Sequence, residues 1–304
     1  MPHAADAEPA EPAEPHKEGP GSAGTRDTAV PARCLRALRA VVFDTDGVIT
    51  DSARVHAAAW KEAFDACLRH WRERSENGAG ATEGQAAADR TDRFRPFDIA
   101  EDYRRHVDGR SRIDGAAAFL ASRGLDLPPG TPQDLPGEGT VRAVAARKEQ
   151  LFTEALRRDG VEAWPGTVRL LYALRRAGTP MAVISASRHA RELLSTAGVL
   201  GLFDEVVDGH EAARLGLAGK PDPAVFLEAA RRLGVPASGA AVVEDALAGV
   251  EAGHRGGFAL VVGVDRTAGP TSARDLREHG ADLVVRDLAE LLTEPGDGTG
   301  EEGD

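Results

Sequence analysis

Cysteine is nearly absent, with Cys34 and Cys67 the only two in 304 residues and neither in a CxxC pair or a Cys/His cluster. A disulfide framework and a thiolate zinc site are therefore excluded, and both cysteines are read as ordinary thiols. Only four of the 37 basic residues are lysine, and no basic block occurs anywhere. Most of the net charge of −12 sits at the two ends: residues 1–31 hold six acids against two bases, and residues 293–304 hold five acids and no base. A near-neutral body without a basic patch argues against nucleic acid or an anionic membrane as partner, and favours a small soluble molecule. No apolar run is long enough to span a bilayer, and the acidic, Pro-rich beginning has neither the positive stretch nor the apolar stretch of a signal peptide. A soluble, cytoplasmic, monomeric protein is expected. No GxGxxG or GxxxxGK[ST] loop follows any strand-like segment, so a dinucleotide or nucleoside triphosphate enzyme is disfavoured.

What is present is a grammar of alternating elements. The EPAEP-rich residues 1–31 and the PGDGTGEEGD ending within 293–304 bury too little apolar surface to offset ordering and are expected to be disordered tails. Between them, the β-branched run Arg39 to Asp44 predicts a strand, and Ala53 to about Trp71 an amphipathic helix. Helical patterns near Ile99–His106, Ile113–Arg123 and Thr140–Arg158 follow, interrupted by polar inserts at 74–93 and 126–139. From Pro165 onward, strands at 181–184, near Val206, 240–243, 258–262 and 282–285 alternate with helices at 167–177, 188–197, 222–233, 246–255 and 272–279. That alternation predicts an α/β fold, a doubly wound parallel sheet at 32–52 and 161–292 with a helical subdomain, 53–160, inserted after its first strand.

Reactive groups in such a sheet collect at the carboxyl ends of its strands. The expected strand ends read Asp44-Thr45-Asp46-Gly47, Ser185-Ala186-Ser187-Arg188 and Glu244-Asp245, with Lys220-Pro221 between the last two. Carboxylates gathered at one point resist ionising together unless a cation sits among them, and oxygen donors suit a hard divalent ion such as Mg²⁺. Ser187, expected to open a helix, would offer free backbone N–H groups to a phosphate, and Lys220 a compact positive charge. Together these parts describe phosphoryl transfer to a carboxylate: Asp44 attacks, Ser185 and Lys220 hold the phosphoryl oxygens, and Asp46 serves as acid and base.

Six segments, FDTDGVITDSARVHAAAW, VDGRSRIDG, ARKEQ, SASRH, GKPDPAVF and VVEDALAGVEAG, occur in this order. Over about residues 38–292 the sequence thereby resembles the haloacid dehalogenase superfamily, in its β-phosphoglucomutase-like subgroup. The resemblance implies a Rossmann-like core with a mobile α-helical cap. It further implies Mg²⁺-dependent interconversion of β-D-glucose 1-phosphate and D-glucose 6-phosphate through an aspartyl phosphate and glucose 1,6-bisphosphate. Carried over by position, Asp44 is phosphorylated, Asp46 is the general acid/base, and Asp44, the Asp46 carbonyl, Glu244 and Asp245 surround the metal. Ser185, Ala186, Ser187 and Lys220 would hold the transferring phosphoryl group. Gly109, Arg110 and Arg112 of the cap loop, with Arg188 and His189, would meet the distal phosphate, and Ser52, His56, Trp60 and Lys148 would line the closing interface. Thr45 departs from the usual Leu with an expected effect on packing alone, and Arg188-His189 replaces a Lys-Asn type pair.

The alternative is a Mg²⁺-dependent sugar-phosphate phosphatase of the same superfamily, since the core motifs do not tell water from a sugar hydroxyl as acceptor. A non-catalytic binding module is a third reading, opposed by the intact set of Asp44, Asp46, Ser185, Lys220 and Asp245. Taken alone, His56 would read as a solvated histidine and Trp60 as core packing. Trp71 and Trp164 are expected to be structural, His210 and His254 to lie at the surface, and the pairs Arg104-Arg105 and Arg231-Arg232 to be solvated helix faces.

Overall fold

The computed structural model describes residues 28–78, 93–266 and 272–294. The tail readings fall almost entirely outside these residues, as does most of the insert at 74–93, although its first residues continue a helix. Six strands form the sheet: β1 Ala40–Asp44, β2 Met181–Ile184, β3 Glu205–Val207, β4 Ala240–Glu244, β5 Leu260–Val264 and β6 Leu283–Val285. Every pairing is parallel and the spatial order is β3-β2-β1-β4-β5-β6. The chain turns to opposite sides of β1 as it builds the two halves, which leaves a crevice beyond the carboxyl ends of β1 and β4.

The central strands are buried on both faces, which explains their almost uninterrupted apolar sequence. Side chains alternate: Val41, Phe43, Met181, Val183, Ala241 and Val243 pack on one side with Leu170, Leu171 and Leu174, while Ala40, Val42, Ala182, Ile184 and Val242 pack on the other with Phe226, Ala229 and Val250.

The helices used below are α1 Ala53–Gly78, α2 Arg112–Ser122, α3 Val141–Asp159, α4 Pro165–Arg176, α5 Ala190–Thr196, α6 Gly209–Leu215, α7 Ala224–Arg232, α8 Leu247–Arg255 and α9 Ser272–Glu278. Helix α6 was not anticipated, and α5 begins at Ala190 rather than 188. Ser187 thus precedes the helix instead of opening it, and its Oγ accepts from the His189 N–H at 3.2 Å. Strand β5 lies two residues later than its apolar pattern suggests, because the Gly256-Gly257 turn places Phe258 in the core ahead of the ladder.

Helices α1, α2 and α3 pack around Trp60, Phe64, Phe97, Phe119 and Val144, with buried Cys67 among them. A π-helical turn at Ile99–Tyr103 is capped by Asp98, whose Oδ1 accepts from the Ala100 and Glu101 N–H groups at 2.8 Å each. Buried Asp102 on that turn meets Arg123 Nη2 at 2.6 Å. The segment 126–139 is irregular and tied to this helical unit: Asp134 accepts from Thr131 at 2.8 Å and Thr140 at 2.5 Å, and Trp71 Nε1 donates to the Glu138 carbonyl at 2.9 Å.

The chain passes between sheet and helical unit at two neighbouring points, where Asp51 N donates to the Glu162 carbonyl at 3.0 Å and Trp164 N to the Ile49 carbonyl at 2.9 Å. Arg266 braces both: it stacks 4.4 Å from the Trp164 ring and donates to the Gly47 carbonyl at 3.1 Å. Arg104, expected on a solvated face, instead reaches the core, pairing with Asp275 of α9 at 2.9 Å. Arg232 likewise is enclosed by Glu228 and Glu211 rather than solvated, whereas His210 and His254 are exposed as expected. At the far end of the molecule Val30–Pro31 pairs antiparallel with Leu292–Thr293, so Val30, Pro31 and Thr293, assigned to the two tails, form a short ribbon with Leu292 of the core.

Candidate active site

Asp44 ends β1 and is 5% exposed, and its two oxygens have separate partners. Oδ2 accepts from the Asp46 N–H at 2.8 Å, and Oδ1 from Lys220 Nζ at 2.5 Å. The same ammonium donates to Glu244 Oε2 at 2.7 Å, at the end of the adjacent strand β4. Asp245 completes the cluster, since Asp44, Glu244 and Asp245 each offer an oxygen within 4.8 Å of the others. Gly47 makes room for it: with φ at +86°, a Cβ there would lie 1.9 Å from Asp245 Oδ2.

So many buried acids strain one another electrostatically. Burial, and then the Glu244 charge, push Asp44 up to about 8 against the pull of Lys220. Burial also raises Glu244 and Asp245, the latter with further repulsion from Asp108 and Glu244. Lys220 goes the other way: burial would lower it, but Asp44 and Glu244 outweigh that and keep it firmly protonated. A divalent cation held by oxygen donors would offset the remaining negative charge, and the donor set of Asp44, Glu244 and Asp245 fits a hard ion.

Asp46 is built differently. Oδ1 accepts from Ser52 Oγ at 2.5 Å, Oδ2 accepts from Ser185 Oγ at 3.0 Å, and His56 Nε2 stands 3.3 Å from Oδ1. Burial would raise its pKa, yet His56 and the hydroxyl donors Ser52 and Ser185 outweigh it and hold the carboxyl below its ordinary range. Ser185 is itself fixed, its Oγ accepting from the Ser187 N–H at 2.9 Å. Thr45 does more than alter packing, because its hydroxyl donates to the Ile184 carbonyl at 2.9 Å and joins the ends of β1 and β2.

Residues 38–257 match the profile of the haloacid dehalogenase-like hydrolases. The chain belongs to this family. It is 44% identical over 255 residues to a β-phosphoglucomutase of Mycobacterium tuberculosis, covering 84% of this chain and 92% of that one. A β-phosphoglucomutase of Bacillus subtilis is 30% identical over 258 residues, covering 84% and 93%. Among solved structures, a β-phosphoglucomutase from Clostridium difficile shares the fold with a TM-score of 0.57 at 23% identity, over 84% of this chain and 93% of that one.

In this haloacid dehalogenase-like enzyme the helical unit faces the carboxylate cluster across a cavity of about 340 Å³, lined from both sides. From the sheet side come Asp44, Asp46, Ser185, Ala186, Ser187, Arg188, Lys220, Glu244 and Asp245. From the helical side come His56, Trp60, Gly109, Arg110, Arg112 and Lys148. Of the residues expected at the site, only Ser52 and His189 lie outside the cavity lining: Ser52 is wholly buried behind Asp46, and His189 is turned toward Glu149. The loop at Gly109, with φ at +69°, sits so close to the core that a Cβ there would meet Ala246 Cβ at 2.9 Å. No residue of the insert 126–139 lines the cavity.

Lys148 is 3% exposed, with Nζ 2.7 Å from His56 Nδ1 and 4.3 Å from the Phe152 ring. An ammonium has only protons to give, so Nδ1 accepts and the neutral ring presents Nε2–H to Asp46. Burial and the Lys148 charge lower the His56 pKa, which favours that neutral ring. Burial also brings Lys148 down to about 8, opposed by Glu149 and Asp46.

Asp108, Tyr103 and Glu149 are among the cavity residues that escaped the sequence reading. Asp108 is pushed up to about 7, by burial first and Asp44 second. Tyr103 is raised well above its ordinary value by burial first and the Asp108 charge second. Glu149 Oε2 pairs with Arg112 Nη1 at 2.5 Å and Oε1 with His189 Nε2 at 2.6 Å. Only the position of Asp108 beside the glycine of VDGRSR and of Glu149 beside Lys148 hinted at them.

Proposed function

We propose that the enzyme is a β-phosphoglucomutase, interconverting β-D-glucose 1-phosphate and D-glucose 6-phosphate through an aspartyl phosphate on Asp44 and a glucose 1,6-bisphosphate intermediate. The observation that carries the reading is a cationic group in the cap, Arg112 with Lys148, facing Asp44 across one cavity. Hydrolysis of a monoester needs one phosphate site, whereas isomerisation needs a second for the end that is not reacting. The 44% identity to a protein of this name supports it.

In this mechanism Asp44 Oδ attacks the phosphorus, and the phosphoryl–oxygen bond to the donor breaks as the acyl phosphate forms. Asp46 gives a proton to the departing oxygen and takes one from the sugar hydroxyl that attacks in the next half-reaction. Ser52 and Ser185 donate to its carboxyl and His56 Nε2 stands 3.3 Å away, which fixes its position at the site. Lys220 and Ser185 donate to the phosphoryl oxygens as charge develops. Asp44, the Asp46 carbonyl, Glu244 and Asp245 would hold Mg²⁺, which would supply charge neutralisation at those oxygens. The bisphosphate must turn end over end before the second transfer, so the cap excludes water from the acyl phosphate.

The test follows both products in one tube. Purified enzyme with Mg²⁺, β-glucose 1-phosphate and a trace of glucose 1,6-bisphosphate is expected to form glucose 6-phosphate with little free phosphate. Phosphate release without isomerisation would overturn the mutase and leave a sugar-phosphate phosphatase.

A further inference from the structure

A histidine has two ring nitrogens, and both of those on His189 face carboxylates: Nε2 lies 2.6 Å from Glu149 Oε1, and Nδ1 lies 3.3 Å from Glu192 Oε2. Arg112, the cap residue expected at the distal phosphate, is paired at 2.5 Å with the other oxygen of the same Glu149. One carboxylate on α3 thus joins a cap arginine to a core histidine, and it engages two groups that the distal phosphate would need. The acid is well ionised, since His189 and Arg112 outweigh the effect of burial and bring it down to about 2.

We propose that Glu149 is a specificity-determining residue that competes with the substrate's distal phosphate for Arg112 and His189, so that binding proceeds by exchange of one anion for another. The inference rests on the mutase reading above. Among the described residues, this carboxylate on α3 reaches two partners. A phosphate dianion carries more charge and more acceptors, and Arg110, Arg142 and Arg188 line the same cavity. The exchange therefore favours a dianionic end. A hydroxyl or a single carboxylate in that place would have to break two charge-assisted bonds without equal return, and is rejected.

Calorimetric titration of Mg²⁺-loaded protein with glucose 6-phosphate tests this, with inorganic phosphate as the probe for the Lys220 end alone. With the competitor removed, Glu149→Gln is expected to bind glucose 6-phosphate roughly tenfold more tightly than the native enzyme, because the competent state no longer has to be freed. Glu149→Asp, too short to bridge both partners, should also tighten it, and serves if the glutamine variant does not fold. The affinity for inorganic phosphate should not follow, which separates competition from a general change in the site. Equal or weaker binding of glucose 6-phosphate by both variants would overturn the proposal and make Glu149 a scaffold for Arg112. If the native enzyme isomerises and the variants do not bind more tightly, the competition falls and the mutase stands. If the native enzyme does not isomerise and the variants still bind more tightly, the mutase falls and the competition stands.

Discussion

Lys148 Nζ and His56 Nδ1 stand 2.7 Å apart, and this contact decides which face of the imidazole carries the proton aimed at Asp46. The contact spans α3 and α1, so it also reports whether the two helices hold their register behind Asp46. Because Lys148 titrates near 8, the donor is present below that pH and lost above it. Turnover is expected to fall as pH rises through about 8, with no such limb in Lys148→Arg, whose guanidinium stays protonated. A pH–rate profile of both proteins checks it; an identical alkaline limb in the two would assign it elsewhere.

Replacing the proposed nucleophile should be the most damaging single change. Asp44→Asn is expected to lower turnover by roughly 10⁴-fold or more while leaving the fold intact, since the amide neither attacks phosphorus nor repels Glu244. Trapping with labelled phosphodonor and intact-mass measurement should find phosphate on native protein and none on the variant.

Gly47→Ala tests the close approach of Asp245. The new methyl would meet Asp245 Oδ2 at 1.9 Å and force a side chain into a positive φ. A loss of about 2 kcal/mol in denaturant unfolding is expected from the backbone alone. Magnesium affinity, measured by titrating activity, should weaken in parallel because Asp245 must move.

The cap carries its own anchor. Asp102 and Arg123 are 6% and 7% exposed and only 2.6 Å apart. Asp102→Ala would leave a buried guanidinium without its carboxylate, at a cost of about 3 kcal/mol. Urea unfolding monitored by tryptophan fluorescence would show it, with Trp60 and Trp71 as reporters within the cap.

The carboxylates at strand ends were legible because parallel strands are apolar to their last residue and then stop at a polar one: Val42-Phe43 gives way to Asp44, and Val242-Val243 to Glu244. The cap helices were legible from their 3.6-residue apolar period. Helix α6 was not, although Asp208 caps it by accepting from the His210 and Glu211 N–H groups at 3.0 and 2.9 Å, because only seven residues carry too little apolar pattern. Asp108, Glu149 and Arg266 were missed for a common reason. Asp108 and Glu149 act across the gap between cap and core and Arg266 braces the chain crossings, each on partners between about 40 and 220 positions away, and no local spacing encodes such a meeting.

The short ribbon of Val30–Pro31 with Leu292–Thr293 has a mechanical consequence. The Ala29 carbonyl beside it accepts from Arg176, which closes the helix leading into the start of β2, so the ribbon lies at the amino end of the sheet. Asp44 and the cap are at the other end. The two chain segments that meet at this seam therefore enter and leave the described fold side by side, on the face opposite Asp44 and the cap.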